Sequence, residues 1–171
     1  MGDGDGTSAS AASSGAASSQ PASSAAEGLR VDFYVIEEAA PAARLKIACR
    51  LAEKAYLAAQ RTLIWHTGRS ELEALDELLW TFADGSFVPH EWLTSNGAAA
   101  APVLLSAGTP PGDTFDFVIN LAAGPPPFLH LSRRIAEIID GDAQRRRAGR
   151  ARFKAYRELG VEPVTHTLRP E

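Results

Sequence analysis

The sequence predicts a three-layer α/β/α sandwich around a mainly parallel sheet of about five strands. Three observations predict it. From Arg30 to Trp80 the chain alternates strand, helix, strand, helix, the order that builds a parallel sheet with helices against it. Phe115 to Leu121, F-D-F-V-I-N-L, is a nearly continuous apolar run of strand length. Asp142 to Gly160 is helix-periodic and ends on a glycine, the residue that tolerates positive φ at a helix C-terminus.

The 171 residues divide into an extension, 1–28, and one domain, 29–171. The extension is Ser, Ala, Gly and Asp with almost nothing to bury, so it is expected to be disordered. Its G-D-G-D-G lacks the later ligands of a calcium loop and the Gly-Lys-Ser/Thr ending of a phosphate loop. Order begins at Arg30 with an alternating run to Ile36. Pro41 is placed to open a helix, whose stripe Leu45, Ala48, Leu51, Ala52, Ala55 and Tyr56 runs to about Gln60. Arg61 to Thr67 is a second strand. Ser70 with Glu73 reads as a capping box for a second helix carrying Leu72, Leu75, Leu79 and Trp80. A loop follows from Ala83 to Trp92, then four alanines from Ala98 and a third strand from Pro102 to Ser106. Pro125, Pro126 and Pro127 force an extended crossing after the fourth strand. Ile135 to Ile139 fits a strand or a short helix, and Val161 to Leu168 an extended tail.

The net charge of −4 and pI near 5.6 make the whole protein a poor polyanion binder. Yet nine of the 17 Lys and Arg lie between Arg133 and Arg157, against three acids there, Glu137, Asp140 and Asp142. A local basic patch on an acidic protein suits a small acidic partner better than a track of duplex DNA. At about 3.6 residues per turn, Arg146, Arg150, Phe153, Lys154 and Arg157 share one face of the last helix. Ala148, Ala151, Ala155 and Leu159 form the side expected to lie against the core.

Familiar catalytic signatures are absent. The turn after the first strand, I-E-E-A-A-P-A, carries two acids and no glycine, so it would repel a phosphate. No G-x-S-x-G elbow occurs, and His66, His90, His130 and His166 stand at no metal-ligand spacing. His66 ends a strand and is expected to be structural. Glu71 and Glu73, and Asp76 and Glu77, are the ordinary charges of an outer helix face. Cys49 is a lone thiol in an apolar stripe, expected buried and inert, which fits a cytoplasmic protein. No apolar run approaches the roughly 18 residues of a membrane span, and no secretory leader pattern occurs.

Two surfaces remain. One is the basic helix. The other is an aromatic cluster of Trp80, Phe82, Phe87, Val88, Pro89 and Trp92 around a loop. For Phe82 and Trp92 core packing and partner contact weigh equally, whereas Trp80 and Phe87 fit a partner surface better.

Taken in order, these pieces resemble the chi subunit family of bacterial DNA polymerase III. The matching stretches are D-F-Y, L-A-E-K-A-Y, L-D-E-L-L-W running to S-F-V-P-H, A-P-V, F-V-I-N-L, and R-A-R-F-K-A-Y-R-E-L-G, over about residues 30 to 168. The resemblance implies a nucleotide-binding-like fold without a phosphate loop, no cofactor and no catalysis by the subunit itself. It implies two partners: the psi subunit, which connects chi to the clamp loader, and the acidic C-terminal tail of single-stranded DNA-binding protein, which ends in a phenylalanine carboxylate. Carried onto this chain, tail binding falls on Ile139, Arg146, Arg150, Phe153, Lys154 and Thr165, and psi contact on Trp80 and Phe87. The family often has Tyr at the position of Phe153, so a hydroxyl donor is missing here while the ring is kept. Two other readings stay open: direct binding of single-stranded nucleic acid by the basic helix, and a small-molecule enzyme with a polar pocket near Glu37 and His66.

Overall fold

A computed structural model describes residues 27–95 and 99–169. The extension up to residue 26, with its G-D-G-D-G, lies outside the described residues. The elements are β1 (Arg30–Ile36), α1 (Pro41–Leu57), β2 (Thr62–His66), α2 (Arg69–Thr81), β3 (His90–Trp92), β4 (Val103–Ala107), β5 (Phe117–Asn120), a single 3-10 turn (Leu129–Leu131), β6 (Arg134–Ile139), α3 (Ala143–Glu158) and β7 (Val164–Leu168). All pairings among the named strands are parallel, in the order β3-β4-β2-β5-β6-β1-β7.

The expected three layers are present, with seven strands in place of about five. The two extra strands are the edges. His90–Trp92 stands in the stretch expected to be a loop, and its three residues are too short to carry a periodic signal. Val164–Leu168 is the extended tail, which pairs along β1 from Asp32↔Val164 to Ile36↔Leu168. The ambiguous Ile135 to Ile139 is a strand, fully buried between β1 and β5, where a continuous apolar run is the normal pattern.

Helix boundaries follow their local chemistry, with one correction. Pro41 stands in the first turn of α1. Asp142 caps α3 by accepting the Arg145 N–H, and Gly160 follows that helix at φ +85°. The capping box at Ser70 does not form: Gly68 is the N-cap of α2, no side chain caps it, and Glu73 pairs instead with Arg69 at 2.9 Å. Helix α2 begins one residue before Ser70, so the serine lies inside the first turn.

α1 and α2 cover one face of the sheet, burying Cys49, Ala52, Leu72, Leu75 and Leu79 against Ile64, Leu105 and Phe117. Burial pushes the Cys49 thiol up to about 12. Phe82 and Trp92 both pack, half-buried, against this core. On the other face α3 buries Tyr156 over Phe33, and Phe128 meets Trp65 edge-on at 5.0 Å. No helix of the described residues is long and apolar enough to cross a membrane.

The buried stripe of α3 is not the alanine side. Gly149, Arg152 and Tyr156 face the sheet, and Ala151 is exposed. Helical spacing alone favoured the alanines because burying an arginine costs several kcal/mol, about 3–5 if its partner is removed. Glu137 from β6 supplies that partner: Arg152 Nε donates to its carboxylate at 2.9 Å, Tyr156 Oη at 2.6 Å and Asn120 Nδ2 at 2.8 Å.

Candidate partner-binding groove

A groove of about 370 Å³ runs between α3 and the β1–β7 edge of the sheet. β1 alternates, so Phe33 and Val35 point toward α3 while Asp32 and Tyr34 point to the opposite face. The floor is apolar. Ile139, at the end of β6, reaches into the helix at Gly149, where a Cβ would collide with the isoleucine Cδ1. A glycine inside a helix usually costs stability, and here the close approach of strand to helix requires it. The Phe153 ring lies 5.2 Å from Phe33, half-buried against β1 and not held out among the cations.

The rim is cationic. Arg146 donates to the Glu37 carbonyl at 2.6 Å, while its Nε is buried without a hydrogen-bond partner among the described residues. Arg150 is exposed one turn further along the same rim. Thr165 and Thr167 of β7 form the opposite wall, and Glu37 marks one end.

Of the six residues carried over from the resemblance, five line this groove: Ile139, Arg146, Arg150, Phe153 and Thr165. Lys154 does not. It is about 80% exposed, 4.0 Å from Glu158, and Arg157 likewise turns outward to Glu162 at 3.3 Å. The single basic face read from helical spacing therefore divides in two, one part turned to the groove and one to solvent. Val35, Thr167 and Gly149 also shape the groove and were not singled out from the sequence, while Glu37 enters the sequence reading only for the alternative small-molecule pocket. Gly149, a glycine inside a helical pattern, was the signal that could have pointed to the close approach.

Trp80 and Phe87 form a separate patch. They are 52% and 62% exposed, their rings 5.5 Å apart, and Trp80 also lies 4.5 Å from the His90 ring. Beneath them His90 sits 2.8 Å from Asp76, which accepts from Trp92 Nε1 at 3.2 Å. The Trp92 hydrogen bond thus tethers β3 to Asp76 of α2 below the aromatic pair, while the buried His90 Nε2, though close to Asp76, makes no hydrogen bond among the described residues.

The strand ends hold a separate cavity, about 250 Å³, lined by His66, Glu71, Arg44, Arg145 and Arg152 among others. Its charges are matched within the protein. Arg44 meets Glu71 and the Ile138 and Leu121 carbonyls, and Arg145 forks onto Asp140 at 2.6 and 2.7 Å. His66 accepts the Gly68 N–H at Nδ1 and meets Glu71 at 2.9 Å through Nε2, the structural use expected of a strand-end histidine. Burial alone would raise the Glu71 carboxyl, but His66 and Arg44 outweigh it and hold it low. Glu37 lines the α3 groove, whereas His66 lines this separate cavity. Among the described residues no group of His, Cys, Asp and Glu is placed to hold a metal.

The family described as DNA polymerase III chi subunit, HolC, matches residues 29–164. The chain is 40% identical over 139 residues to DNA polymerase III subunit chi of Pseudomonas aeruginosa, covering 81% of this chain and 96% of the relative. It is 27% identical to the Haemophilus influenzae protein of the same name, over 80% of this chain and 95% of that one. The Escherichia coli protein of that name is 25% identical over 71% of this chain and 84% of its own length. In fold, the chain is similar to T4 UvsW, with a TM-score of 0.58 at 10% identity over 83% of this chain and 42% of that one. It is also similar to the C-terminal domain of the DEAD-box protein Dbp5, with a TM-score of 0.56 at 11% identity, covering 82% and 91%.

Proposed function

The chain belongs to the DNA polymerase III chi subunit family, and from that premise we propose that it is a non-catalytic connector within the replicative polymerase. One face docks the acidic C-terminal tail of single-stranded DNA-binding protein, and the other docks the psi subunit of the clamp-loader assembly. The observation that carries the first contact is the apolar floor of Phe33, Ile139 and Phe153 under the cationic rim of Arg146 and Arg150. Phosphates need only cations. A peptide that ends in an aromatic carboxylate offers charge to the rim and a ring to the floor.

The second contact rests on Trp80 and Phe87. Paired, exposed rings supported by an ordered polar tether are the anchors that dominate interface energies.

Titration of a fluorescent acidic peptide ending in Pro-Phe tests the groove. Arg150→Glu is expected to weaken binding about tenfold, by loss of attraction and gain of repulsion at the rim. An amidated or Phe-deleted peptide is expected to bind less tightly than the free acid. Equal affinity of wild type and Arg150→Glu would remove the groove assignment. Tight binding of single-stranded DNA alone, lost in the same variant, would favour a direct nucleic-acid site.

A further inference from the structure

We propose that the free edge of β7 receives an extended acidic peptide as an eighth strand, with alternate side chains entering two basic grooves on opposite faces of the sheet. The inference rests on the tail-docking reading above and adds to it the peptide's backbone and a second groove.

β7 ends the sheet and, among the described residues, pairs with β1 alone. Val164, Thr165 and Thr167 are exposed. An edge strand offers a row of unpaired N–H and C=O groups, and proteins usually blunt such a row with lysine, proline or a bulge. Within Val164–Leu168, V-T-H-T-L, neither lysine nor proline occurs, and its register with β1 is unbroken over five residues.

The two faces of this strand lead to different grooves. Thr165 and Thr167 stand opposite Phe33 and Val35 and open onto the α3 groove with Arg146 and Arg150. Val164, His166 and Leu168 stand opposite Asp32, Tyr34 and Ile36 on the α1 face. There His166 stacks on Tyr34 at 5.0 Å. Beyond it lies a groove of about 260 Å³ whose apolar walls include Ile36, Ile47 and Leu168, and whose charged residues are Lys46, Arg50 and Arg169. No acid lines it.

A strand added to β7 sends successive side chains to opposite faces. Carboxylates at alternate positions would meet Arg146 and Arg150, and those between them Lys46 and Arg169. This charge complementarity identifies the occupant as a peptide with consecutive acidic residues. A groove on one face alone could serve only every second one.

The test uses the full chain and an acidic peptide ending in Phe, with two peptides N-methylated at alternate backbone positions. One methylated set is expected to bind as the parent does and the other to lose binding, because only one set donates to β7. The exposed-surface double variant Lys46→Glu/Arg169→Glu is expected to lose about five- to twentyfold in affinity, as several rim charges together would. Circular dichroism and thermal melting check that this variant folds as wild type does. Amide exchange should slow in β7 when peptide is added.

If Arg150→Glu weakens binding while neither methylated set nor the double variant matters, the peptide docks by side chains in the α3 groove alone. The eighth strand is then wrong and the tail-docking reading stands. If Arg150→Glu has no effect, the earlier reading itself falls. If β7 amides become protected as the protein alone is concentrated, and peptide adds nothing, the edge pairs with a second copy and the proposal is overturned.

Discussion

Arg152 on α3 and Glu137 on β6 form an ion pair of 2.9 Å in which both side chains are almost wholly buried, at 5% and 0% exposure. The helix that builds the groove is thereby fixed to the sheet by charge as well as by packing. Burial pushes the Glu137 carboxyl up, against the pull of Arg152, Asn120 and Tyr156. Removing one partner leaves the other charge buried and unpaired. Arg152→Met is expected to lower stability by about 3–5 kcal/mol, and adding Glu137→Gln to that variant to restore part of the loss. Urea unfolding of the two single variants and the double variant measures the coupling; purely additive effects would refute it.

Gly149→Ala separates helix propensity from packing. Alanine normally improves a helix interior by about 1 kcal/mol over glycine. Here its Cβ would strike the Ile139 side chain, and overpacking costs about 1–3 kcal/mol. A net destabilisation is expected, with the groove floor displaced and acidic-peptide affinity reduced. Adding Ile139→Val, which shortens the colliding side chain, is expected to recover stability.

Asp140 sets a pH dependence. Its burial would raise the carboxyl, but the fork from Arg145 and the Ala40 and Asp142 N–H groups outweigh it and hold the group below its ordinary 3.8. A depressed carboxylate contributes stability above its unfolded-state value and loses it as the pH falls through the folded one. Stability should therefore fall more steeply on acidification below about pH 4 in wild type than in Asp140→Asn, which cannot titrate there. Parallel slopes in chemical unfolding across that range would contradict this.

Trp80→Ala and Phe87→Ala remove surface rings. Each is expected to change stability by no more than about 0.5 kcal/mol, since neither ring belongs to a buried cluster. In pull-downs they should lose the psi partner while retaining the acidic-tail peptide, and Arg150→Glu should show the opposite pattern. Loss of both partners by one variant would mean that the two surfaces are not independent.

Cys49 reports on opening of the α1 face. It is fully buried, and its thiol is pushed up to about 12. Native protein is expected to resist thiol reagents near neutral pH and to react at a rate that tracks unfolding. Fast labelling of the folded protein would show that α1 opens locally.

The α/β class, the three helices and most inner strands were legible in the sequence because each rests on local physics. Apolar runs too continuous for a solvated face make β2 and β5, while Pro41, Asp142 and Gly160 punctuate α1 and α3; the run that became β6 fitted a strand or a short helix equally until its neighbours β1 and β5 decided it. The aromatic pair and the cations of α3 were equally visible, since residue type and helical spacing place them without reference to other elements.

What the sequence could not decide depended on neighbours distant along the chain. β3 and β7 are strands because β4 and β1 offer them pairing edges, a relation no local pattern encodes. The core-facing side of α3 was chosen by Glu137, which makes burial of Arg152 cheaper than any alanine stripe would suggest. That choice rotates Arg146, Arg150 and Phe153 onto the groove and turns Lys154 away. Sequence supplied the charges and the ring; long-range pairing of one buried carboxylate decided which of them meet.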